Sequence, residues 1–205
     1  MATPFLRLVA TLAIAAFIAS CGGSTPKIAK LETGAVVLAF GDSLTFGYGA
    51  TPAEAYPAVL AGLIGRTVVA SGVPGETSDA GLERLPGELE KSQAKLVILC
   101  HGGNDFLQHR DEASVIANLR AMVKLARDSG AAVVLVATPK PGIGISVPPF
   151  YAEIAKEYGI PIENEVMKKV LSTGSLKSDL IHPNAKGYAR VAEDLAKLIR
   201  ASGAV

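Results

Sequence analysis

The stretch AVVLAFGDSL, residues 35–44, joins a short apolar run to a Gly-Asp-Ser turn, and the rest of the chain is organised around it. Residues 35–40 predict a buried parallel strand, because the run is short, continuous, rich in Val and Ala and closed by glycine. Gly41 permits a tight exit from this strand, since it has no Cβ. Ser43 is thereby placed at a strand's carboxyl end, the edge at which open α/β sheets bind ligands.

Other apolar runs predict four more strands, over residues 67–70, 95–101, 131–137 and 160–162. Helical patterns separate them, and one of these, after the loop at residues 71–78, contains Pro86 as a potential kink or break. Residues 138–147 predict a loop. Because parallel neighbours need crossovers and helices must cover both faces, we predict a single α/β domain, a three-layer α/β/α sandwich.

Composition limits the classes of partner. The 205 residues are 49% hydrophobic, which suffices for one sizeable core. Lys and Arg number 20 against 19 Asp and Glu, and no basic cluster with interleaved aromatics is present. We therefore expect no nucleic-acid partner.

The first residues resemble an export signal. Arg7 is the only charge in residues 1–20, and residues 8–18 form an apolar, Ala-rich core too short for a comfortable membrane span. The tetrad that follows, residues 18–21 with sequence IASC, is similar to the lipobox of bacterial lipoproteins, in which the cysteine is lipidated and becomes the new N-terminus. The alternative is an ordinary secretory signal with an incidental cysteine.

These features predict a signal peptide over residues 1–20, lipidation at Cys21, a tether over residues 21–33 and a folded domain over residues 34–205. We expect a lipoprotein of the bacterial cell envelope, anchored to a membrane and facing the periplasm. The other cysteine, Cys100, lies inside an apolar strand and is expected to be a buried, inert thiol.

A late segment supplies partners for the serine. A hydroxyl is a poor nucleophile unless a base accepts its proton, and the imidazole of His182 is suited to that role. Asp179, three residues earlier, can reach the other ring nitrogen across one turn and stabilise the imidazolium. Ser43, His182 and Asp179 are therefore the predicted catalytic residues.

Acyl transfer also needs donors for a developing oxyanion. The backbone N–H groups of Ser43 and Gly75 and the side-chain amide of Asn104 stand at three predicted strand ends. We predict that these three groups form the oxyanion hole. With three scattered histidines and no Gly-x-Gly-x-x-Gly, Gly-Lys-Ser/Thr or His-Glu-x-x-His pattern, the sequence predicts no metal and no cofactor.

Four blocks together resemble the SGNH hydrolase superfamily of GDSL esterases and lipases. They are GDSL at residues 41–44, GETS at 75–78, GGND at 102–105 and DLIHP at 179–183. The resemblance implies a flavodoxin-like, doubly wound sheet of five parallel strands in the order 2-1-3-4-5, and ester hydrolysis without a cofactor. The second and third blocks look most like the bacterial arylesterase, thioesterase and lysophospholipase subgroup, although ASG at residues 70–72 departs from that subgroup's usual Asn-Ala-Ser approach.

The residues and the resemblance together predict a serine esterase acting on small ester, thioester or lipid substrates through an acyl-enzyme. One alternative is an esterase that removes O-acetyl groups from cell-envelope glycans with the same residues. Another is a non-catalytic envelope-binding lipoprotein, which would have no need for the full set of Ser, Gly, Asn, Asp and His.

Overall fold

A five-stranded parallel sheet forms the centre of the computed structural model, which describes residues 25–142 and 144–205. Its strands, numbered in chain order, are β1 (Val36–Gly41), β2 (Thr67–Gly72), β3 (Leu96–Cys100), β4 (Ala132–Val136) and β7 (Ile162–Glu163). They lie in the order 2-1-3-4-7, and all four pairings are parallel. The expected order was 2-1-3-4-5, and the two orders agree because β7 is the fifth strand of this sheet along the chain.

Two short strands that were not predicted from the sequence lie between β4 and β7 in the chain and form a separate hairpin. β5 (Lys140–Gly142) and β6 (Gly144–Ser146) pair antiparallel outside the main sheet, within the segment expected to be a loop. Strands of three residues carry too little periodicity to be recognised in a sequence rich in Pro and Gly.

Helices cover both faces of the sheet. They are α1 (Ser43–Phe46), α2 (Tyr56–Ile64), α3 (Ser78–Ser92), α4 (Gly103–Leu107), α5 (Glu112–Asp128), α6 (Phe150–Tyr158), α7 (Val166–Ser172) and α8 (Ala185–Ala201), with a 3₁₀ turn at Gly174–Leu176. α3 continues as one helix through Pro86, so the helix does not break there. The three-layer α/β/α architecture is therefore confirmed.

The core is divided by the sheet into two apolar layers, and β1 contributes to both because successive side chains of a strand point to opposite faces. Val37 and Ala39 pack in the layer that includes side chains of α2, α7 and α8. Leu38 and Phe40 pack in the layer that includes side chains of α3, α5 and α6. All four are fully buried, which makes β1 a rigid support for the segment that follows it.

Part of the segment predicted as a tether contacts the end of the last helix. The backbone N–H groups of Ile28 and Leu31 donate to the carbonyls of Ser202 and Ala204, at 3.0 and 2.8 Å, and Leu31 is buried. The predicted signal peptide and Cys21 lie outside the described residues. Within residues 25–142 and 144–205, no helix combines the length and the apolar character needed to cross a membrane.

α1 rests directly on the end of β2, and Gly72 makes this contact possible. A Cβ at Gly72 would lie 2.1 Å from the backbone nitrogen of Phe46 and 2.7 Å from the carbonyl oxygen of Asp42, distances that real atoms do not adopt. The turn that carries Ser43 can therefore approach β2 only where the side chain is absent.

We expect Gly72→Ala to lower the free energy of unfolding by at least about 1–3 kcal/mol, because rigid backbone cannot move aside as a side chain can. Gly62→Ala in α2 is the matched control: a Cβ there meets nothing within 4 Å, and alanine should stabilise the helix by about 0.5–1 kcal/mol. Urea unfolding followed by circular dichroism measures both. Equal unfolding midpoints for the two variants would contradict the proposed close contact.

Candidate active site

A chain of hydrogen bonds links Asp179, His182 and Ser43. His182 Nε2 lies 3.0 Å from Ser43 Oγ, and His182 Nδ1 lies 2.8 Å from Asp179 Oδ2. The structure thus brings the three predicted catalytic side chains together in the order that proton transfer requires. In this arrangement Nδ1 donates to the carboxylate, which leaves Nε2 free to accept the serine proton.

Asp179 also shapes the loop that carries the histidine. Its Oδ1 accepts hydrogen bonds from the backbone N–H groups of Ile181 and His182, both at 2.8 Å. Burial by itself would raise the pKa of Asp179, but the hydrogen bonds from the His182 ring and from these two N–H groups hold it below its ordinary value. The Asp-x-x-His spacing therefore fixes the backbone and the imidazole with one ionised carboxylate.

Ser43 is the first residue of α1, immediately after the helix-capping residue Asp42. Oδ1 of Asp42 accepts from the backbone N–H of Leu44 at 2.9 Å. Burial of this carboxyl raises the pKa of Asp42. The cap holds the start of α1 against the end of β1, so the position of the Ser43 side chain is set by the sheet.

The loop after α1 lies against the histidine loop. The rings of Tyr48 and His182 are 4.5 Å apart between centroids. A Cβ on Gly49, whose φ is +93°, would lie 2.8 Å from the carbonyl oxygen of Pro183. The absence of a side chain at Gly49 therefore lets the serine and histidine segments meet.

Gly75 lies in a tight turn at the same edge of the sheet. The backbone N–H of Glu76 donates to the carbonyl of Val73 at 3.1 Å, with Pro74 second and Gly75 third at φ +80°, as in a type II turn. Among the hydrogen bonds of the described residues, neither the Gly75 N–H nor the Ser43 N–H is a donor. Both predicted donors are therefore available to a ligand.

The third predicted donor, Asn104 in α4, is already engaged. Its Nδ2 donates to the backbone carbonyl of Glu76 at 2.9 Å and to Asp42 Oδ2 at the longer distance of 3.3 Å. The first bond fixes the amide next to the Gly75 turn. Binding an oxyanion would therefore require Asn104 to exchange the longer bond.

The carboxylate of Asp105 links the segment that follows the Gly75 turn to the helix that carries Asn104. Asp105 accepts from the backbone N–H and the hydroxyl of Ser78, at 2.9 and 2.7 Å. This pair ties the start of α3, which follows the Gly75 turn, to α4, which carries Asn104. Asp105 therefore has a bracing role between these two segments.

A partly buried ion pair next to the Gly75 turn was not predicted from the sequence. Glu76 and Arg84 form two hydrogen bonds of 2.7 Å, and Nε2 of the fully buried His101 lies 3.3 Å from Glu76 Oε2 without hydrogen-bonding geometry. Burial acts to raise the pKa of Glu76, but the Arg84 hydrogen bonds and the His101 contact outweigh it and lower the pKa to about 2. Their spacing of eight residues is not a recognised helix or turn pattern, so no sequence signal identified the pair.

An apolar cleft opens beside Ser43 and His182. Its apolar lining comes from α1, α4, α7, the hairpin and the histidine loop, and comprises Leu44, Leu107, Pro139, Pro141, Ile145, Leu171, Leu180 and Ile181. Asn104 also faces this cleft. A ligand carbonyl at Ser43 would therefore place one of its substituents against apolar side chains.

Two further sequence expectations concern cysteine and metal chemistry. Cys100 is fully buried in β3, as predicted, and burial raises the pKa of its thiol far above the ordinary value. Within the part of the chain that the structure describes, no group of three or more His, Cys, Asp or Glu side chains is arranged to hold a metal ion.

Comparisons with known proteins agree with this geometry. The family described as GDSL-like Lipase/Acylhydrolase matches residues 39–190. The chain is 29% identical over 172 residues to the Escherichia coli protein named Thioesterase 1/protease 1/lysophospholipase L1, covering 80% of this chain and 83% of that one. It is 27% identical over 179 residues to an arylesterase of Vibrio mimicus, covering 78% and 86%. A crystal structure of TesA superposes with a TM-score of 0.72 at 26% identity, covering 82% of this chain and 99% of that one.

The geometry predicts a single activated serine. We expect a fluorophosphonate probe to label Ser43 in the native protein, because His182 can accept the proton of the attacking hydroxyl. Peptide mapping by mass spectrometry identifies the site. Ser78 is a matched internal control, since its hydroxyl is buried and bonded to Asp105.

Loss of the base should slow this labelling by orders of magnitude. His182→Ala is the variant, and the labelling rate at fixed pH is the measurement. Rapid labelling of His182→Ala, or labelling elsewhere in Ser43→Ala, would contradict the assignment.

Proposed function

The chain belongs to the GDSL-like lipase/acylhydrolase family and is a serine esterase, and we propose that Ser43, His182 and Asp179 hydrolyse carboxylic esters through an acyl-enzyme. The observation that carries this proposal is the hydrogen-bond chain from Asp179 through His182 to Ser43 at the mouth of an apolar cleft. Fold and family alone would leave the reacting residues unassigned.

In the proposed reaction, Ser43 Oγ attacks the carbonyl carbon of the ester while His182 Nε2 takes the hydroxyl proton. The carbonyl oxygen becomes an oxyanion, and Asp179 stabilises the imidazolium. As the tetrahedral intermediate collapses, His182 returns the proton to the leaving alcohol or thiol, and an acyl-Ser43 remains. Water then attacks the acyl-enzyme with His182 as base, which releases the acid and restores Ser43.

We assign the oxyanion to the N–H groups of Ser43 and Gly75 and to the Asn104 amide. The two backbone donors support this assignment because neither makes another hydrogen bond among the described residues. Asn104 would contribute after exchanging its 3.3 Å bond to Asp42. Loss of one such donor typically raises the barrier by about 2.7–4 kcal/mol.

The cleft supports esters with an apolar acyl or aryl group. The apolar side chains beside Ser43 and His182 would stabilise such a group by burial, roughly 25 cal/mol for each Å² removed from water. The relatives are named for arylesterase, thioesterase and lysophospholipase activities, which are compatible with such a cleft. We propose the same substrate range, small ester, thioester or lipid, for this protein.

For location, we propose a lipid-anchored protein of the bacterial cell envelope that faces the periplasm. The motivation is the apolar, nearly uncharged stretch over residues 1–20 followed by Cys21. A single acyl chain binds membranes only marginally, so firm anchoring would need the several chains of a bacterial lipoprotein. The folded domain would begin shortly after this anchor.

The catalytic assignment predicts unequal and non-additive losses. We expect Asp179→Asn to lower kcat on the order of 10⁴-fold and His182→Ala on the order of 10⁶-fold, as in other Ser-His-Asp hydrolases. The double variant should match His182→Ala, because both residues act in one proton transfer.

The measurement is kcat/KM on one soluble 4-nitrophenyl ester, with circular dichroism to verify folding. Ser43→Ala is the reference for complete loss of the nucleophile. Full activity of Asp179→Asn would leave Asp179 with only its contribution to the loop backbone. A panel with an acyl thioester, a lysophospholipid and an acetylated glycan on the same variants would separate the substrate classes.

The proposed anchor predicts a lipid-modified N-terminus. Intact-mass analysis of the protein from its native membrane should show a chain that begins at a modified Cys21. Cys21→Ser should abolish incorporation of labelled fatty acid and release the protein from membranes. Cys100→Ala is the matched control, since that thiol is fully buried and should not affect incorporation. An unmodified Cys21 in the mature protein would exclude the anchor.

A further inference from the structure

The ion pair between Glu76 and Arg84 joins the Gly75 turn to helix α3. Arg84 projects from α3 and donates Nε and Nη2 to the two carboxylate oxygens of Glu76, each at 2.7 Å. This bidentate geometry fixes both side chains in orientation as well as in distance. The carboxylate is only 6% exposed and the guanidinium 24%, so solvent screens the pair weakly.

The guanidinium of Arg84 also contacts the ends of two strands. Nη2 donates to the carbonyl of Ser71 at 3.3 Å and, more weakly, to that of Gly41 at 3.4 Å, and Nη1 donates to the Ser71 hydroxyl. Its central carbon lies 4.2 Å from the centroid of the Phe40 ring. Arg84 therefore links Glu76 to the carboxyl ends of β1 and β2.

The backbone of Glu76 connects the Glu76–Arg84 ion pair to two of the three proposed oxyanion donors, the Gly75 N–H and the Asn104 amide. Its N–H closes the turn that contains Gly75, and its carbonyl accepts the 2.9 Å bond from Asn104. A shift of Glu76 would therefore move the Gly75 N–H and the Asn104 amide together. The donors of an oxyanion hole lose effect steeply when they are misplaced, because their dipoles must point at the developing charge.

Stability alone is a weak reason for this arrangement. Taking two charges out of water is costly, and a buried ion pair can often be replaced by apolar side chains without loss of stability. Neither Glu76 nor Arg84 lines the cleft beside Ser43, so the pair does not contact a substrate there. An effect on the reaction must therefore pass through the groups that Glu76 holds.

We propose that Glu76 and Arg84 are positioning residues of the oxyanion hole: through their ion pair they hold the Gly75 turn and the Asn104 amide against the ends of β1 and β2. This inference rests on the proposed function, since it assumes that Gly75 and Asn104 bind the oxyanion. In this role Glu76 and Arg84 affect the reaction without touching the substrate or the reacting atoms.

The test compares a transition-state analogue with a ground-state analogue. A trifluoromethyl ketone forms a tetrahedral adduct with the serine and carries an oxyanion, whereas the matching methyl ketone binds without one in appreciable amount. The variants are Glu76→Gln, which removes the negative charge, and Arg84→Lys, which keeps the positive charge but loses the fork. Inhibition constants, kcat and KM for a 4-nitrophenyl ester are measured at a temperature at which circular dichroism shows every variant folded.

We expect Glu76→Gln to lower kcat by about 10- to 100-fold with KM within about twofold, since only transition-state stabilisation is lost. Affinity for the trifluoromethyl ketone should fall by a similar factor, and affinity for the methyl ketone should not change. Arg84→Lys should show a smaller loss of the same pattern. If Glu76→Gln does not fold, Arg84→Lys alone carries the comparison.

Arg120→Met is the matched control. Arg120 pairs with Glu157 between α5 and α6, away from the strand ends that carry the site. This variant should keep the wild-type kcat and both inhibition constants. Unchanged kcat in the folded Glu76 and Arg84 variants, or equal losses of affinity for both ketones, would overturn the positioning role. A wild type that hydrolyses no ester, or a Ser43→Ala variant that does, would instead overturn the proposed function.

Discussion

The hydrogen bond between Ser43 and His182 joins residues 139 positions apart in the chain, and the rest of the site depends on it. It forms only because two loops approach without intervening side chains. Gly72 lets the turn that carries Ser43 rest on β2, and Gly49 lets the following loop meet the backbone of the histidine segment. Neither glycine takes part in the proposed proton transfer. The geometry of that transfer is therefore set by close backbone packing, which tolerates no Cβ at these positions.

The parallel sheet explains why the remaining groups gather at the same edge. β1, β2 and β3 are adjacent and end together, so the segments that follow them, with Ser43, Gly75 and Asn104, are neighbours in space although they are distant in sequence. Such an edge leaves many polar groups without strand partners. The carboxylates of Asp42 and Asp105 accept hydrogen bonds from backbone N–H groups that follow these strand ends, those of Leu44 and Ser78, and the carboxylate of Glu76 accepts from the Arg84 guanidinium of α3. Buried charge is costly, and here each carboxylate has several donors.

Much of this architecture was predictable from sequence because it follows from short-range patterns. Five apolar runs predicted the five strands of the sheet, and the motif resemblance implied their order. The same motifs predicted which side chains would meet around Ser43, although their catalytic roles stay predictions. The hairpin over residues 140–146 was missed because three-residue strands have no measurable period. The pair of Glu76 with Arg84 was missed for a different reason: the contact depends on how α3 docks on the sheet, and no local rule encodes that.

The two hydrogen bonds of Asn104 bear on the oxyanion role proposed for it. Its amide has two hydrogens, and it makes one bond to the Glu76 carbonyl at 2.9 Å and one to Asp42 at 3.3 Å. The shorter bond fixes the position of the amide, and the proposed exchange of the longer bond would leave it intact. In the proposed reaction the longer bond would be exchanged for one to the oxyanion, and because that bond is weak the exchange would cost little. A donor that is fixed in position and makes only one weak bond to exchange needs little reorganisation during the reaction. Electrostatic stabilisation of a transition state is most effective when its donors need little reorganisation.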